Sequence, residues 1–324
     1  MRSRVPKAVA TALAAAAAFT MPAVARADFP EKPIRFVVPF ASGTATDQIA
    51  RALGQGVAAE SGQQVIVDNK PGGNGFIGAS EAARAAPDGY TVFITTNTTH
   101  AAAQHLYKKL PYDPVKDFAP VTGLGKGGQI MVVNSRSPYA SVRDFLAAAK
   151  KNPGKLSFGS GSSSSRIAGE MLQQLAAVQI LHVPYKSNTF AVTDLLGGQI
   201  DMMITDTATG MPHVKSGKLR ALGVSTKKRS ALAPEVPTIE EAGVPGYDMG
   251  YWFAAYAPAG TPATIIGRLN GWLAKAARSP GATTFYANSG VEPFLTSPEE
   301  LAQFQAEESK KWEEIVRKAG IEKE

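Results

Sequence analysis

The stretch FGSGSSSSRIAGEM, residues 158–171, runs through Gly, Ser, Gly and four consecutive serines before turning helical. By composition alone it is a Gly/Ser linker between two domains. Read instead as a strand end followed by a helix start, it is a loop dense in hydroxyls and amides inside an α/β unit. The two readings give different folds, and the flanking sequence decides between them.

Upstream, apolar runs and helical patterns alternate. PIRFVVPF (33–40) reads as a buried strand, followed by a helix from about Thr46 to Glu60. QVIVDN is the next strand, then come a helix over IGASEAARAA and the strand GYTVFITTN (89–97). This βαβαβ order argues for a parallel sheet with helices on its faces. A second series begins after Pro138 with a helix over SVRDFLAAAKK, Ser141 as its N-cap and Asn152-Pro153-Gly154 as its stop. Strand KLSFGS, helix RIAGEMLQQLA, strand ILHVPY, helix AVTDLLGG and strands IDMMITD and LRALGVS follow. The tail returns to helix over ATIIGRLNGWLAKAARS and over 298–319, where Leu301, Phe304, Trp312, Ile315 and Val316 keep a helical period.

Two α/β units therefore share the chain. If the tail packs on the first, the chain crosses between them near residues 127–135 and 251–260. The expected architecture is a lobe of residues 28–130 plus 256–324, a lobe of residues 131–255, and a two-strand hinge beside a cleft. The serine stretch then falls inside the second lobe and is not the linker.

Apolar residues at 44% and charged residues at 19% fit a globular chain rather than a disordered one. The first residues stand apart: Arg2, Arg4 and Lys7 precede the apolar run AVATALAAAAAFT, and Ala25-Arg26-Ala27 forms a cleavage pattern before Asp28. Residues 1–27 thus read as a secretory signal peptide cut after about Ala27; the run is too short and Ala-rich for a membrane anchor. Four positive charges lie in that segment, leaving +3 of the formal +7. No basic stripe with stacking aromatics is present, so nucleic acid is not an expected partner; KKRS at 227–230 reads as a solvated loop. The chain has no cysteine, so an exported product relies on its core, and no lipobox Cys is available. These features point to a soluble periplasmic protein, expected to act as a monomer.

Catalytic, metal and cofactor signatures are missing. GLGKGG (123–128) matches G-x-G-x-x-G, but the strand-like QIMVVN follows it instead of a helix. There is no H-E-x-x-H, Walker A or G-x-S-x-G sequence, and His100, His105, His182 and His213 lack ligand spacing. A secreted serine hydrolase would need His100 or His182 to meet Ser160. No enzyme, metal or cofactor is expected.

What remains is a set of strand-to-helix loops with backbone donors and small hydroxyls. Ser42, Gly43 and Thr44 lie before a helix N-terminus, where unpaired N–H groups and the helix dipole favour an anion; Thr46 or Asp47 caps that helix, Asp47 being the better candidate. Asn97 and Thr98 lie in TTNTTH (95–100), after another strand. In the opening stretch one serine suffices as a cap, so Ser160, Ser162, Ser163 and Ser164 leave donors to spare, and Arg166 either adds a fork of donors or points outward. Asp206, at a strand end with Thr205, can accept from an amino or hydroxyl group. Phe190 and GYWF (250–253) offer an aromatic wall or core.

FPEKPIRFVVPFASGTATDQIAR, VIVDNKPGGNGFIGASEAARAAPDGYTV, HVPYKSNTFAVTDLLGGQID, KLRALGVSTKKRSALAPEVPTIEEAGVPGYD and APAGTP together resemble the Bug receptors, the extracytoplasmic solute-binding components of tripartite tricarboxylate transporters. The resemblance runs in order along essentially the whole mature chain. It implies a two-lobed periplasmic-binding-protein fold of the type 2 kind that closes over a small carboxylate and delivers it to membrane transporter subunits. Family ligands include di- and tricarboxylates, amino acids and aromatic acids, held by loop amides, Ser/Thr hydroxyls and waters. By this resemblance the loops at 42–44, 96–99, the serine stretch and 185–188, beginning with Tyr185, hold the ligand. Thr44, Arg166, Ser187 and Phe190 stand where the family usually has Gly, His, Gly and Pro, and the serine loop is about two residues short, so no relative's ligand transfers directly. A receptor that chiefly signals to a sensor protein is the alternative to transport.

Overall fold

The computed structural model describes residues 29–318 and 320–323; the expected signal peptide and its cleavage point lie outside them. Strand β1 (Ile34–Val38) leads through a tight turn into helix α1 (Ala45–Ser61). Strands β2 (Val65–Asn69) and β3 (Thr91–Thr96) pair parallel to β1 on its two sides, with α2 (Phe76–Ala83) between them in sequence. After β3 the chain turns at once through a π-helical turn, Thr98–Ala102, into the short α3 (Ala103–Leu106), a helical segment where the sequence suggests a loop.

Strand β4 (Phe118–Asn134) is 17 residues long. The second series follows: α4 (Val142–Lys151), β5 (Ser157–Ser160), α5 (Ser163–Ala176), β6 (Leu181–Pro184), α6 (Asn188–Gly197), β7 (Met202–Asp206), α7 (Thr207–Lys215) and β8 (Leu219–Val224). Ser141 caps α4 as expected, accepting from the Asp144 amide at 3.1 Å. The chain returns in β9 (Gly250–Pro258) and ends in α8 (Ala263–Ala276), α9 (Pro280–Ser289) and α10 (Pro298–Lys318). Helices α7 and α9 escape a reading by periodicity: α7 carries the helix-breaking Pro212 inside it, and α9 opens on Pro280 at its first position.

The strand order is β2-β1-β3-β9-β4-β7-β5-β6, with β8 also on β4. The outer strands of each half pair in parallel, while β4 and β9 are antiparallel to their neighbours. Strand β4 changes partner in mid-course. Phe118 to Gly128 face β9; from Gln129 onward it pairs with β7, and from Ile130 with β8. All of β9 bonds within the first half, whereas Met249, one residue earlier, donates to Ser225 at 2.8 Å in the second. The fold is thus α/β, with a curled mixed sheet and helices on its faces.

The tail packs on the first half. Helices α8 and α9 lie on α1, and α10 lies on β4 and the π-turn. Leu301 and Trp312 of α10 are buried with Trp252 and Tyr256 of β9, and Gln305 donates to the His100 carbonyl at 3.0 Å. The glycines of GLGKGG lie in β4, and Gly123 and Gly125 face the 291–294 segment. A Cβ at Gly123 would meet the Phe294 carbonyl at 2.5 Å, and one at Gly125 would meet Val291 at 2.5 Å. Close packing explains that spacing, and no phosphate loop is formed.

Gly161 joins β5 to α5 where another loop passes hard against it: a Cβ there would lie 1.9 Å from the Ser187 carbonyl carbon. Its amide donates to Asn188 Oδ1 at 2.9 Å. Gly161→Ala must push two backbones apart, so it should cost at least about 1–3 kcal/mol, read as a lowered urea midpoint with an unchanged m-value.

Candidate functional site

Five strand-to-helix connections converge on one cavity, with an empty volume of ≈ 380 Å³ including its mouth. Thr44 and Thr46 come from the β1–α1 turn, Thr96 to Thr98 from the end of β3, Ser162 and Ser164 from the start of α5. Ser187 and Asn188 come from the start of α6 and Asp206 from the end of β7. Gln129 of β4 and Tyr251 and Phe253 of β9 complete the wall, where the strands run between the halves.

The serine run is sorted by the helix it starts. Helix α5 begins at Ser163, three residues before the first clearly helical residue type, so each serine points its own way. Ser162 is the N-cap and accepts from the Ser165 amide at 3.2 Å. Ser163 is fully buried, and Ser165 donates to the Ile204 carbonyl. Ser164 faces the cavity and meets Thr98 Oγ1 at 3.3 Å across the cleft. A second hydrogen bond crosses nearby, from the Ala41 amide to Ser187 Oγ at 3.3 Å.

The β1–α1 turn is organised by a carboxylate. Thr44, not Asp47, caps α1: its hydroxyl accepts from the Asp47 amide at 3.4 Å and donates to the Ala41 carbonyl at 2.8 Å. Asp47 sits in the first helical turn, where its side chain accepts from the Gly43 amide at 2.9 Å and Ser42 Oγ at 3.3 Å. Arg51 grips the same carboxylate with Nη2 at 2.9 Å from Oδ1 and Nε at 3.1 Å from Oδ2, and Asn69 Nδ2 adds a bond at 3.0 Å. Ser42 and Gly43 therefore donate to Asp47 and do not line the cavity.

Four further expected residues also lie off it, the buried Ser163 among them. Ser160 Oγ is 2.7 Å from His182 Nε2, on the neighbouring strand. Arg166, four positions into α5, lies 3.9 Å from Glu170 on another side of the helix. Tyr185 donates to Asp194 at 2.8 Å. Thr44, Asn97, Thr98, Ser162, Ser164 and Asp206 are the expected residues that the fold brings together. Phe253 and Tyr251 join as wall, while Phe190 is exposed elsewhere. The prominent addition is Gln129, a single glutamine within a strand, which carries no motif.

Asp206 is the one charged residue on the cavity wall. It caps α7, accepting from the Thr209 amide at 2.7 Å. Burial pushes its carboxyl above the usual value, against hydrogen bonds from Thr209 and Asn188. Among the described residues no Lys, Arg or His lines the cavity. His100 is neutral, held down to about 3 by burial, and is stacked on Tyr256 at 3.9 Å. The site offers hydroxyls, amides and helix N-termini beside one carboxyl group, the equipment of a binding pocket. Among the described residues no cluster suits a metal ion and no helix is long and apolar enough to cross a membrane.

The family described as "Tripartite tricarboxylate transporter family receptor" matches residues 49–321. The chain belongs to that family. BugD, described as a periplasmic binding protein, superposes on this receptor with a TM-score of 0.88 and 32% identity, over 91% of this chain and 100% of BugD. An R. palustris protein solved with adipate gives 0.87 and 34%, over 90% and 99% of the two chains. MatC from Rhodopseudomonas palustris, solved with bound malate, gives 0.84 and 31%, over 89% and 100%. The expected kinship with Bug receptors is borne out, and such proteins are solute receptors, not enzymes.

Burial raises the Asp47 carboxyl, but the Arg51 and Gly43 hydrogen bonds, Asn69 and the Arg51 charge outweigh it and hold the group below 3.8. Its contribution to stability is complete above the unfolded value and is lost as pH falls through the lower folded one. Asp47→Asn should cost about 1–3 kcal/mol at neutral pH, and the difference from wild type should shrink on acidification below about pH 4 in urea titrations.

Proposed function

We propose that this receptor captures a small organic carboxylate in the periplasm by closing two lobes over it, then delivers it to a membrane transporter of the tripartite tricarboxylate type. The lobes are those expected from the sequence with their bounds shifted to where the strands change partner, residues 29–128 with 250–323 and residues 129–249, hinged on β4 and β9. The observation that carries the reading is the convergence of strand-to-helix loops from both halves on one cavity without cations. Helix N-termini and hydroxyls can hold an anion without a buried countercharge, because each N–H brings a fixed partial charge already desolvated by the fold. The hydrogen bonds Thr98–Ser164 and Ala41–Ser187 support closure, since each joins the two sides of the cleft. Adipate and malate in the similar proteins support a small acid as the ligand class. The apolar N-terminal run after a basic start supports export.

Titration calorimetry against C4–C6 carboxylates should give saturable binding, and no heat with any of them would overturn the proposal. Ser164→Ala and Thr98→Val should each weaken the best ligand by about 0.5–1.5 kcal/mol, two- to thirteenfold, with little change in melting temperature. Arg166→Ala should leave affinity within about twofold, because the side chain lies beside Glu170 and off the cavity wall.

A further inference from the structure

The acid reading accounts for the donors of the cavity but not for its acceptors. Gln129 and Asp206 are directly opposed across β4 and β7, so their side chains leave the same face of the sheet, and both reach the cavity. Gln129 is 1% exposed, and its Oε1 has no hydrogen-bond partner. Asn97 is fully buried on the same cavity; its Nδ2 donates to the Gly250 carbonyl at 3.5 Å, and its Oδ1 has no partner. The register Gly250↔Gly128 sets that carbonyl beside the residue preceding Gln129, so the two amides and Asp206 gather where β4 changes partner. Asp206 receives only neutral donors from the protein: the Thr209 amide at 2.7 Å, Thr205 Oγ1 at 3.5 Å and Asn188.

Two unpartnered amide oxygens and a carboxylate without a cation form an acceptor-rich floor under a donor-rich rim. Buried acceptors that gain nothing from a ligand penalise it, and those that meet an N–H or O–H reward it. Resting on the proposal that the cavity takes a carboxylate, we infer that its ligand also carries a hydrogen-bond donor, a hydroxyl or ammonium group, which sits against Asp206, Gln129 and Asn97. An unsubstituted dicarboxylate would set its second anion against these oxygens. An ammonium would in addition supply the countercharge that Asp206 lacks.

The test is calorimetry on refolded, ligand-stripped receptor with matched series: succinate, malate and aspartate; glutarate, 2-hydroxyglutarate and glutamate; adipate and 2-aminoadipate. The hydroxy or amino member of at least one series should bind about tenfold or more tighter than its unsubstituted parent, as sites built for a polar group discriminate strongly against its absence. Asp206→Asn keeps an oxygen that can cap α7, so the fold should persist. That variant should narrow the gap, and more for the amino acids than for the hydroxy acids if the natural donor is ammonium. A dicarboxylate that binds as tightly as its substituted partners in every series overturns this inference and leaves the carboxylate reading standing. Binding of no compound overturns both.

Discussion

The exchange of partners along β4 is the constraint on which the rest depends. A strand that bonds to β9 through Gly128 and to β7 from Gln129 holds both halves by continuous backbone hydrogen bonding. Its glycines let neighbours close in at the changeover: a Cβ at Gly128 would lie 2.9 Å from Thr226, and one at Gly127 would lie 2.7 Å from the Tyr251 hydroxyl. The sheets on either side present strand ends toward a common space, and helices begin there. In open α/β sheets ligands sit beyond the carboxyl ends of strands, and here the ends of β1, β3, β5, β6 and β7 share one cavity.

That geometry settles what chemistry the cavity can offer. A buried cation would cost several kcal/mol in desolvation before any anion arrived, whereas a helix N-terminus brings donors already fixed by the backbone. The chain assigns its carboxylates accordingly. Asp47, beside the cavity, is turned toward Arg51, Asn69 and the Gly43 amide, where it fixes the turn and presents no free charge to a ligand. Asp206 is left on the wall with neutral partners. The two aspartates sit on equivalent strand-to-helix turns in different halves, and only one has a cation.

The elements were largely legible because strand and helix periods are local. β1, β2, β3, α4 and β5 to β8 lie within a few residues of their expected positions, and Ser141 caps α4 as its spacing implies. The site was legible at the level of loops and not of side chains. Which of four consecutive serines faces a ligand depends on where the helix starts, and serine is neutral between cap and first turn, so the three-residue difference in the start of α5 decided it. That same start puts Arg166 one turn along, beside Glu170. Asp47 was misassigned as a cap because Thr44 and Asp47 are both good N-terminal residues separated by one helical turn. Gln129 could not be found at all: its importance comes from the strand opposite, 77 positions away in the chain at Asp206.

The hydroxyls that bridge the two halves also line the cavity. Thr98 Oγ1 and Ser164 Oγ meet each other at 3.3 Å and both line the cavity, and Ser187 Oγ there accepts from Ala41. In the proposed closure, neutral bonds of about 1 kcal/mol each would hold the ligand-free cleft, modest against the entropy of holding two halves together. An anion in the cavity would replace such neutral pairs with charge-assisted ones, roughly twice as strong. The gain exists only when both rims reach the ligand at once, which is the differential affinity that shifts an open–closed equilibrium. A ligand that satisfied the donors of one half alone would bind without closing the receptor. On the proposed reading, selectivity and the closing motion would come from the same few groups.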